Sequence, residues 1–211
     1  MQDYFEEYIR AVEHPLPEMV DYFNKENEYI KKIVNKESTI LDVGCGNGRT
    51  MKVVNPFVKK IVGIDYDDKM IGAARANLAG IDNCELKCQN FFEMDLKEKF
   101  DIVLASYNLL GSSKISTDRR DFLLAMMKKY AKLGGHVLAS AWSDTGIEFA
   151  RKYYPSIGID ITEIKDNDVI TNHSNFKRFT KDELNKLASL VSKDFEIIKL
   201  SDIFYLLDIK V

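Results

Sequence analysis

The run Ile40-Leu41-Asp42-Val43-Gly44-Cys45-Gly46-Asn47-Gly48-Arg49 leaves this chain few folds to choose from. Thr39 to Val43 reads as a short apolar strand. Three alternating glycines follow, and helical residues run from Asn47 until Pro56 stops them. Glycines let the backbone adopt conformations closed to other residues and come very close to a ligand. A helix N-terminus adds N–H groups that can hold a carboxylate. A tight turn with no ligand is the bland alternative. Three glycines beside an acidic residue weigh against it.

The pattern downstream repeats strand and helix. Lys60 to Ile64 is a second strand ending at Asp65, and a helix at 67–79 turns Met70, Ile71, Ala74 and Leu78 inward. Residues 84–88 are a third strand. Phe100 to Ala105 is a fourth, and its continuous apolar character suits a strand covered on both faces. A helix at 118–132 is expected to bury Phe122, Leu123, Met126, Met127 and Tyr130, with Gly134-Gly135 ending it and His136 to Trp142 as the fifth strand. Such alternation implies right-handed crossovers and a mostly parallel sheet.

Two helices precede the sheet. Residues 2–12 place Phe5, Tyr8, Ile9 and Val12 on one face, and His14-Pro15-Leu16-Pro17 interrupts them. The second helix, 18–34, has Met19, Tyr22, Phe23, Ile30 and Ile33 as its stripe. Residues 143–179 have weak periodicity and read as an insertion. Thr180 and Glu183 then form a capping box, with Phe179 and Leu184 as its hydrophobic staple, on a helix at 181–191. Strands at 195–200 and 203–210, joined by Ser201-Asp202, must be antiparallel neighbours.

The glycine spacing narrows the ligand. A dinucleotide fingerprint needs Gly-x-Gly-x-x-Gly, and from Gly44 its third glycine falls on Arg49. A phosphate-cradling loop needs a lysine that is missing here. Asp42 adds negative charge where a diphosphate would sit; it suits a ligand with a cationic amino group and a sulfonium. Whole-chain properties bound the partners. The net charge of -3 offers no basic surface as an argument for nucleic acid. No apolar run approaches the ~20 residues that span a bilayer, and the acidic start, Asp3, Glu6 and Glu7, resembles no targeting segment. Cys45, Cys84 and Cys88 fit a reducing compartment, so a cytoplasmic location is expected. Cys84 and Cys88 read as small core thiols, and no metal site is expected.

Asp42 to Gly48 resembles motif I of the class I S-adenosylmethionine-dependent methyltransferases. Asp65 matches the family's acid for the two ribose hydroxyls, about 20 residues after the turn. Asn90-Phe91-Phe92 stands where the family usually has an acid contacting the adenine amino group; Asn90 departs from that pattern but can still accept through its carbonyl. Phe100 to Val103 and Leu133 to Leu138 resemble the fourth- and fifth-strand motifs, so the resemblance covers residues 38–142. It implies an α/β, Rossmann-like, seven-stranded sheet of order 3-2-1-4-5-7-6 with the last strand antiparallel and helices on both faces. It also implies S-adenosylmethionine as cofactor, held by Asp42, Gly44, Cys45, Gly46, Gly48, Asp65, Tyr66, Met70, Asn90, Phe91, Phe92 and Ser106.

The chain then divides into a helical cap at 1–36, a cofactor core at 38–142, a substrate lid at 143–179 and a closing unit at 180–211, all in one domain. Methyl transfer from a sulfonium needs alignment more than a triad, and a base only if the acceptor arrives protonated. His173, Asn108 and Tyr107 are the candidates for contact with the reaction, and Tyr4, Tyr8, Trp142 and Tyr153 for the substrate, with Arg151 and Tyr154 also placed on the lid. A small-molecule N or O acceptor is the first reading. RNA or protein as acceptor, a non-catalytic cofactor sensor and a nicotinamide oxidoreductase are the others. The oligomeric state stays open.

Overall fold

In the computed structural model, the described residues are 4–112, 115–116, 119–172 and 174–211, without the Tyr4 side chain. The order of elements is α1 (Tyr4–Glu13), α2 (Pro17–Ile33), β1 (Thr39–Val43), α3 (Arg49–Val54), β2 (Lys60–Asp65), α4 (Asp68–Asn77), β3 (Cys84–Cys88) and β4 (Phe100–Ala105). Then come α5 (Arg120–Tyr130), β5 (Ala131–Trp142), α6 (Ile147–Ser156), β6 (Ile161–Lys165), β7 (Asp168–Thr171), β8 (Asn175–Lys177), α7 (Lys181–Ser189), β9 (Phe195–Lys199) and β10 (Phe204–Lys210).

Seven strands form one sheet in the order β3-β2-β1-β4-β5-β10-β9. The pairs among β1 to β5 are parallel, while β10 runs antiparallel to both β5 and β9. This is the expected order, with β9 and β10 as the sixth and seventh strands. Successive strand residues point to opposite faces, so one core takes Ile40, Ile61, Ile102 and Leu104 while the other takes Leu41, Val62, Val103 and Ala105. The first core also holds Met19, Tyr22 and Ile30 of α2; the second holds Leu123, Leu124 and Met127 of α5 and Leu184 and Ala188 of α7. The helix α7 starts with the capping box read from Thr180 and Glu183.

Three expectations are corrected. The α5 helix ends at Tyr130, and β5 already begins at Ala131 and carries Gly134-Gly135 within it; a register shift between the Phe100 and Ile102 pairings absorbs the extra residues. Phe122 is 45% exposed, and Leu124 takes the inward place. Cys84 is half-buried and Cys88 exposed, so neither is a fully buried core thiol, because β3 is an edge strand. Residues 143–179, read as an insertion of weak periodicity, have regular structure of their own. They hold α6 and a separate three-stranded antiparallel sheet, β6-β7-β8. Short strands with one solvent face and a helix containing Pro155 give little periodicity to read. This segment leaves and returns at the end of β5, where the Phe179 amide donates to the Trp142 carbonyl at 2.8 Å and the Asp144 amide to the Phe179 carbonyl at 3.0 Å. No described helix is long and apolar enough to cross a membrane.

Candidate functional site

The C-terminal ends of β1, β2, β4 and β5 share one edge of the sheet, where open α/β sheets bind ligands. At the end of β1, the Gly44 and Cys45 amides both donate to the Ile64 carbonyl, at 2.8 and 3.0 Å. The chain then takes φ of 68° at Gly44, 54° at Gly46 and 76° at Gly48, the left-handed region that disfavours other residues. At the end of β2, Asp65 fastens this turn. One carboxylate oxygen accepts from the Gly46 amide at 3.0 Å and the other from the Asp67 amide at 3.0 Å. A carboxylate has about four acceptor positions, so Asp65 keeps capacity for a diol.

Two chambers flank the turn. The outer cleft, about 510 Å³, brings together Gly44, Gly46, Asp65, Tyr66, Met70, Asn90, Phe91 and Phe92 of the expected set. Apolar Ile64, Ile115 and Leu123 complete a wall for a flat ring, and Arg119 lies over Phe92 at 4.1 Å. The Asn90 amide oxygen accepts from the Phe92 amide at 3.1 Å, capping the turn at 91–93, and its nitrogen donates to Glu93 at 3.0 Å. Both halves of that side chain therefore have local partners, which the sequence reading did not foresee.

The inner chamber, about 100 Å³, gathers Asp42, Gly44, Cys45, Ser106, Tyr107, Asn108, Tyr8, Trp142 and Tyr153. Tyr8, Gly44, Leu109 and Ser112 line both chambers and mark where they meet. Gly48 lines neither; a Cβ there would face Leu78 at 2.9 Å, so it serves the packing of α3 on α4. Arg151 also lies away, on a shallow groove of the 143–179 segment, whereas Tyr154 lines the inner chamber. His173 and the Tyr4 side chain lie outside the described residues.

Sequence reading missed a buried polar network behind this chamber. Glu26 of α2, fully buried, accepts from the Tyr22 hydroxyl at 2.8 Å, from Ser106 Oγ at 3.0 Å and from Arg49 Nη2 at 3.2 Å. Arg49 also lies over the Phe23 ring at 3.9 Å. The Tyr107 amide donates to the Tyr22 hydroxyl and to Ser140 Oγ, at 3.0 and 2.8 Å. The signal was available: Glu26 falls on the apolar stripe of α2, one turn after Tyr22. This network holds Tyr107 and Asn108 in consecutive left-handed conformations, φ 56° and 61°. Non-glycine residues in that region cost about 1–3 kcal/mol each and cluster at functional sites. In this conformation the Tyr107 ring lines the chamber, where its hydroxyl bonds that of Tyr153. Asn108 Oδ1 accepts from the Trp142 amide at 2.9 Å.

Asp42 is the clearest mark of a ligand. It is buried, and its Oδ1 has no hydrogen-bond partner. Burial, with Glu26 and Asp65 nearby, pushes its carboxyl up to about 8, against the pull of Arg49. An unmet buried carboxylate is costly, and an ammonium group arriving beside it would remove that cost. The pieces fit S-adenosylmethionine: Asp42 for the amino-acid end, Asp65 for the ribose, and the apolar outer cleft for the adenine. Among the described residues no three metal-ligating side chains cluster.

A family model described as "Methyltransferase domain" matches residues 34–194. The chain is 29% identical over 107 residues to ribosomal protein L11 methyltransferase of Aquifex aeolicus, covering 50% of this chain and 40% of that relative. It thus spans less than half the length of that curated relative. Its fold matches an S-adenosylmethionine-dependent methyltransferase from Clostridium acetobutylicum, with TM-score 0.69, 14% identity and 97% and 96% of the two chains covered. It also matches SAM-bound CalS10, an amino pentose methyltransferase from Micromonospora echinaspora, with TM-score 0.69, 15% identity and 99% and 98% covered. With a match over most of its length and a cleft that fits the methyl donor, the chain belongs to the methyltransferase domain family, the class I methyltransferases whose cofactor is S-adenosylmethionine.

Proposed function

We propose that this chain transfers a methyl group from S-adenosylmethionine to a small molecule held in the inner chamber. The observation that carries the reading is enclosure. The chamber lies beneath Tyr8 of α1 on one side and Tyr153, Tyr154 and Phe176 of the 143–179 segment on the other. A space of about 100 Å³ takes a small molecule, a single side chain or a flipped-out base and excludes a folded polypeptide or an RNA duplex as a body; the cover of α1 and the 143–179 segment favours the first. The segment acts as the substrate lid and α1 as a cap, both within one domain. CalS10, by its name, acts on an amino pentose, which agrees with a small acceptor.

The bound cofactor supplies an activated methyl carbon on a positively charged sulfur. The protein's own residues orient and enclose. Asp42 meets the ammonium and Asp65 the ribose hydroxyls. Tyr107 and Asn108, fixed by their backbone, position the acceptor against the end of β4. Holding the reacting atoms aligned supplies much of the rate for a displacement of this kind. The three free thiols are consistent with a cytoplasmic location. A screen with radiolabelled cofactor against metabolite, protein and RNA pools tests the reading. Label entering the metabolite fraction supports it, and label entering only protein or RNA overturns it.

A further inference from the structure

The amino-acid end of S-adenosylmethionine carries a carboxylate beside its ammonium, and the glycine turn has few N–H groups left for it. The Gly44 and Cys45 amides donate to the Ile64 carbonyl and the Gly46 amide to Asp65. The Gly48 amide donates to the Cys45 carbonyl at 3.0 Å and the Arg49 amide to Asn47 Oδ1 at 3.2 Å. Helix α3 has only six residues, and so few aligned peptide dipoles to add. Side chains supply what the backbone lacks. Asp42 and Arg49 both line the inner chamber, and Asp42 Oδ1 and Arg49 Nη1 are both buried without a hydrogen-bond partner. Arg49 spends only part of its guanidinium: Nη2 donates to Glu26 at 3.2 Å, and the group lies over the Phe23 ring at 3.9 Å. Its charge acts on the Asp42 carboxyl, but the two orphaned atoms do not meet. Each is costly while unmet. An unmet donor and an unmet acceptor of opposite charge in one small chamber match the two ends of a zwitterion.

We infer that Arg49 binds the cofactor's carboxylate through Nη1, opposite the ammonium on Asp42, and so makes the protein select cofactors that keep that carboxylate. A guanidinium presents its N–H groups in a fixed fork. Glu26 holds that fork in place and acts through it as a positioning residue. The inference concerns the cofactor alone, so the metabolite screen and the identity of the acceptor do not bear on it.

Calorimetry on the full chain with S-adenosylhomocysteine and its decarboxylated analogue, S-adenosyl-3-thiopropylamine, tests this without any turnover. Wild type should bind S-adenosylhomocysteine at least about tenfold more tightly than the analogue, the worth of one hydrogen bond between charged groups. Arg49→Met keeps an unbranched stem beside Phe23 and removes the charge. In that variant the preference should fall below about threefold, through weaker S-adenosylhomocysteine and an unchanged analogue. A merely structural role for Arg49 would weaken both ligands alike and leave their ratio intact. Because Arg49→Met leaves the buried Glu26 without its cation, the double variant Glu26→Gln with Arg49→Met is measured beside it and should lose the preference in the same way. A wild-type preference below about tenfold overturns the inference on its own. So does a preference that survives in either variant.

Discussion

Replacing Asp42 by asparagine should make the cofactor-free protein more stable while weakening its hold on the cofactor. The carboxyl titrates at 3.8 in the unfolded reference and at about 8 in the folded chain, chiefly through burial. Between those values the unfolded chain has released its proton and the folded chain still holds it. Stability is therefore lost as pH rises across that window and stays at the lower level above it. At pH 7 the window has run about three pH units, worth about 4 kcal/mol at about 1.4 kcal/mol per unit. Asparagine carries no titrating proton and keeps the shape. Its buried amide must find partners, at a cost of about 1–3 kcal/mol. The net gain at pH 7 is then about 1–3 kcal/mol, and a chain of this size gains about 2–4 °C in Tm per kcal/mol. Thermal melts of both proteins at pH 5 and pH 8 are the assay. Burial also holds the Asp65 carboxyl above the usual range in both proteins, so the difference between them reports Asp42 together with its smaller coupling to Asp65. The Tm advantage of Asp42→Asn should widen from pH 5 to pH 8, and calorimetry should show S-adenosylmethionine bound at least tenfold more weakly. A variant that melts below wild type at pH 8, or a gap that does not change with pH, refutes the reasoning.

Asp65→Ala removes the acceptor for the Gly46 amide together with the partner for the ribose hydroxyls, and should weaken S-adenosylmethionine at least tenfold by calorimetry. Gly46→Ala puts a Cβ 2.4 Å from the Tyr8 hydroxyl at a φ of 54°, a conformation costing an L-residue about 1–2 kcal/mol. Its destabilisation should shrink by more than about 0.5 kcal/mol when combined with Tyr8→Ala, measured as a double-mutant cycle in urea; strict additivity would place the Tyr8 contact elsewhere. Thr180→Ala deletes the N-cap of α7, whose hydroxyl accepts from the Glu183 amide at 3.1 Å, and should cost about 1 kcal/mol in urea unfolding with cofactor affinity unaltered.

The sheet was legible because its strands are short, apolar and separated by unmistakable breaks. Val43-Gly44, Ile64-Asp65 and Ala105-Ser106 each mark a strand end at the edge where the site lies. Legibility failed where the chain's signals conflict. Gly134-Gly135 reads as a helix stop, but the hydrogen-bonding demand of the neighbouring β4 draws Ala131 into the sheet, five residues before the expected start at His136, and the register shift accommodates the glycines. In 143–179 the strands belong to a small sheet with no deep core of its own. Ile161 and Ile164 are only partly buried, and so leave no sharp alternation to read.

The site divides along the same physical line. The outer cleft is made by residues adjacent to strand ends, and local sequence order places them; Asp65, Tyr66, Met70 and Phe91 therefore came together as read. The inner chamber is assembled from six separate stretches of the chain, and its control lies in contacts across long separations. Ser106 meets Glu26 from 80 residues away, and Tyr107 meets Tyr153 from 46. Glu26 looked like a misplaced charge on an apolar stripe, and it is the residue to which α2, α3 and the loop after β4 are all tied. A buried, fully engaged carboxylate is expensive unless a structure needs its geometry. Here the geometry it sets is the orientation of Arg49 and Ser106, which line the inner chamber, so a polar interruption in a helix's apolar face marks that chamber as the glycine turn marks the outer cleft.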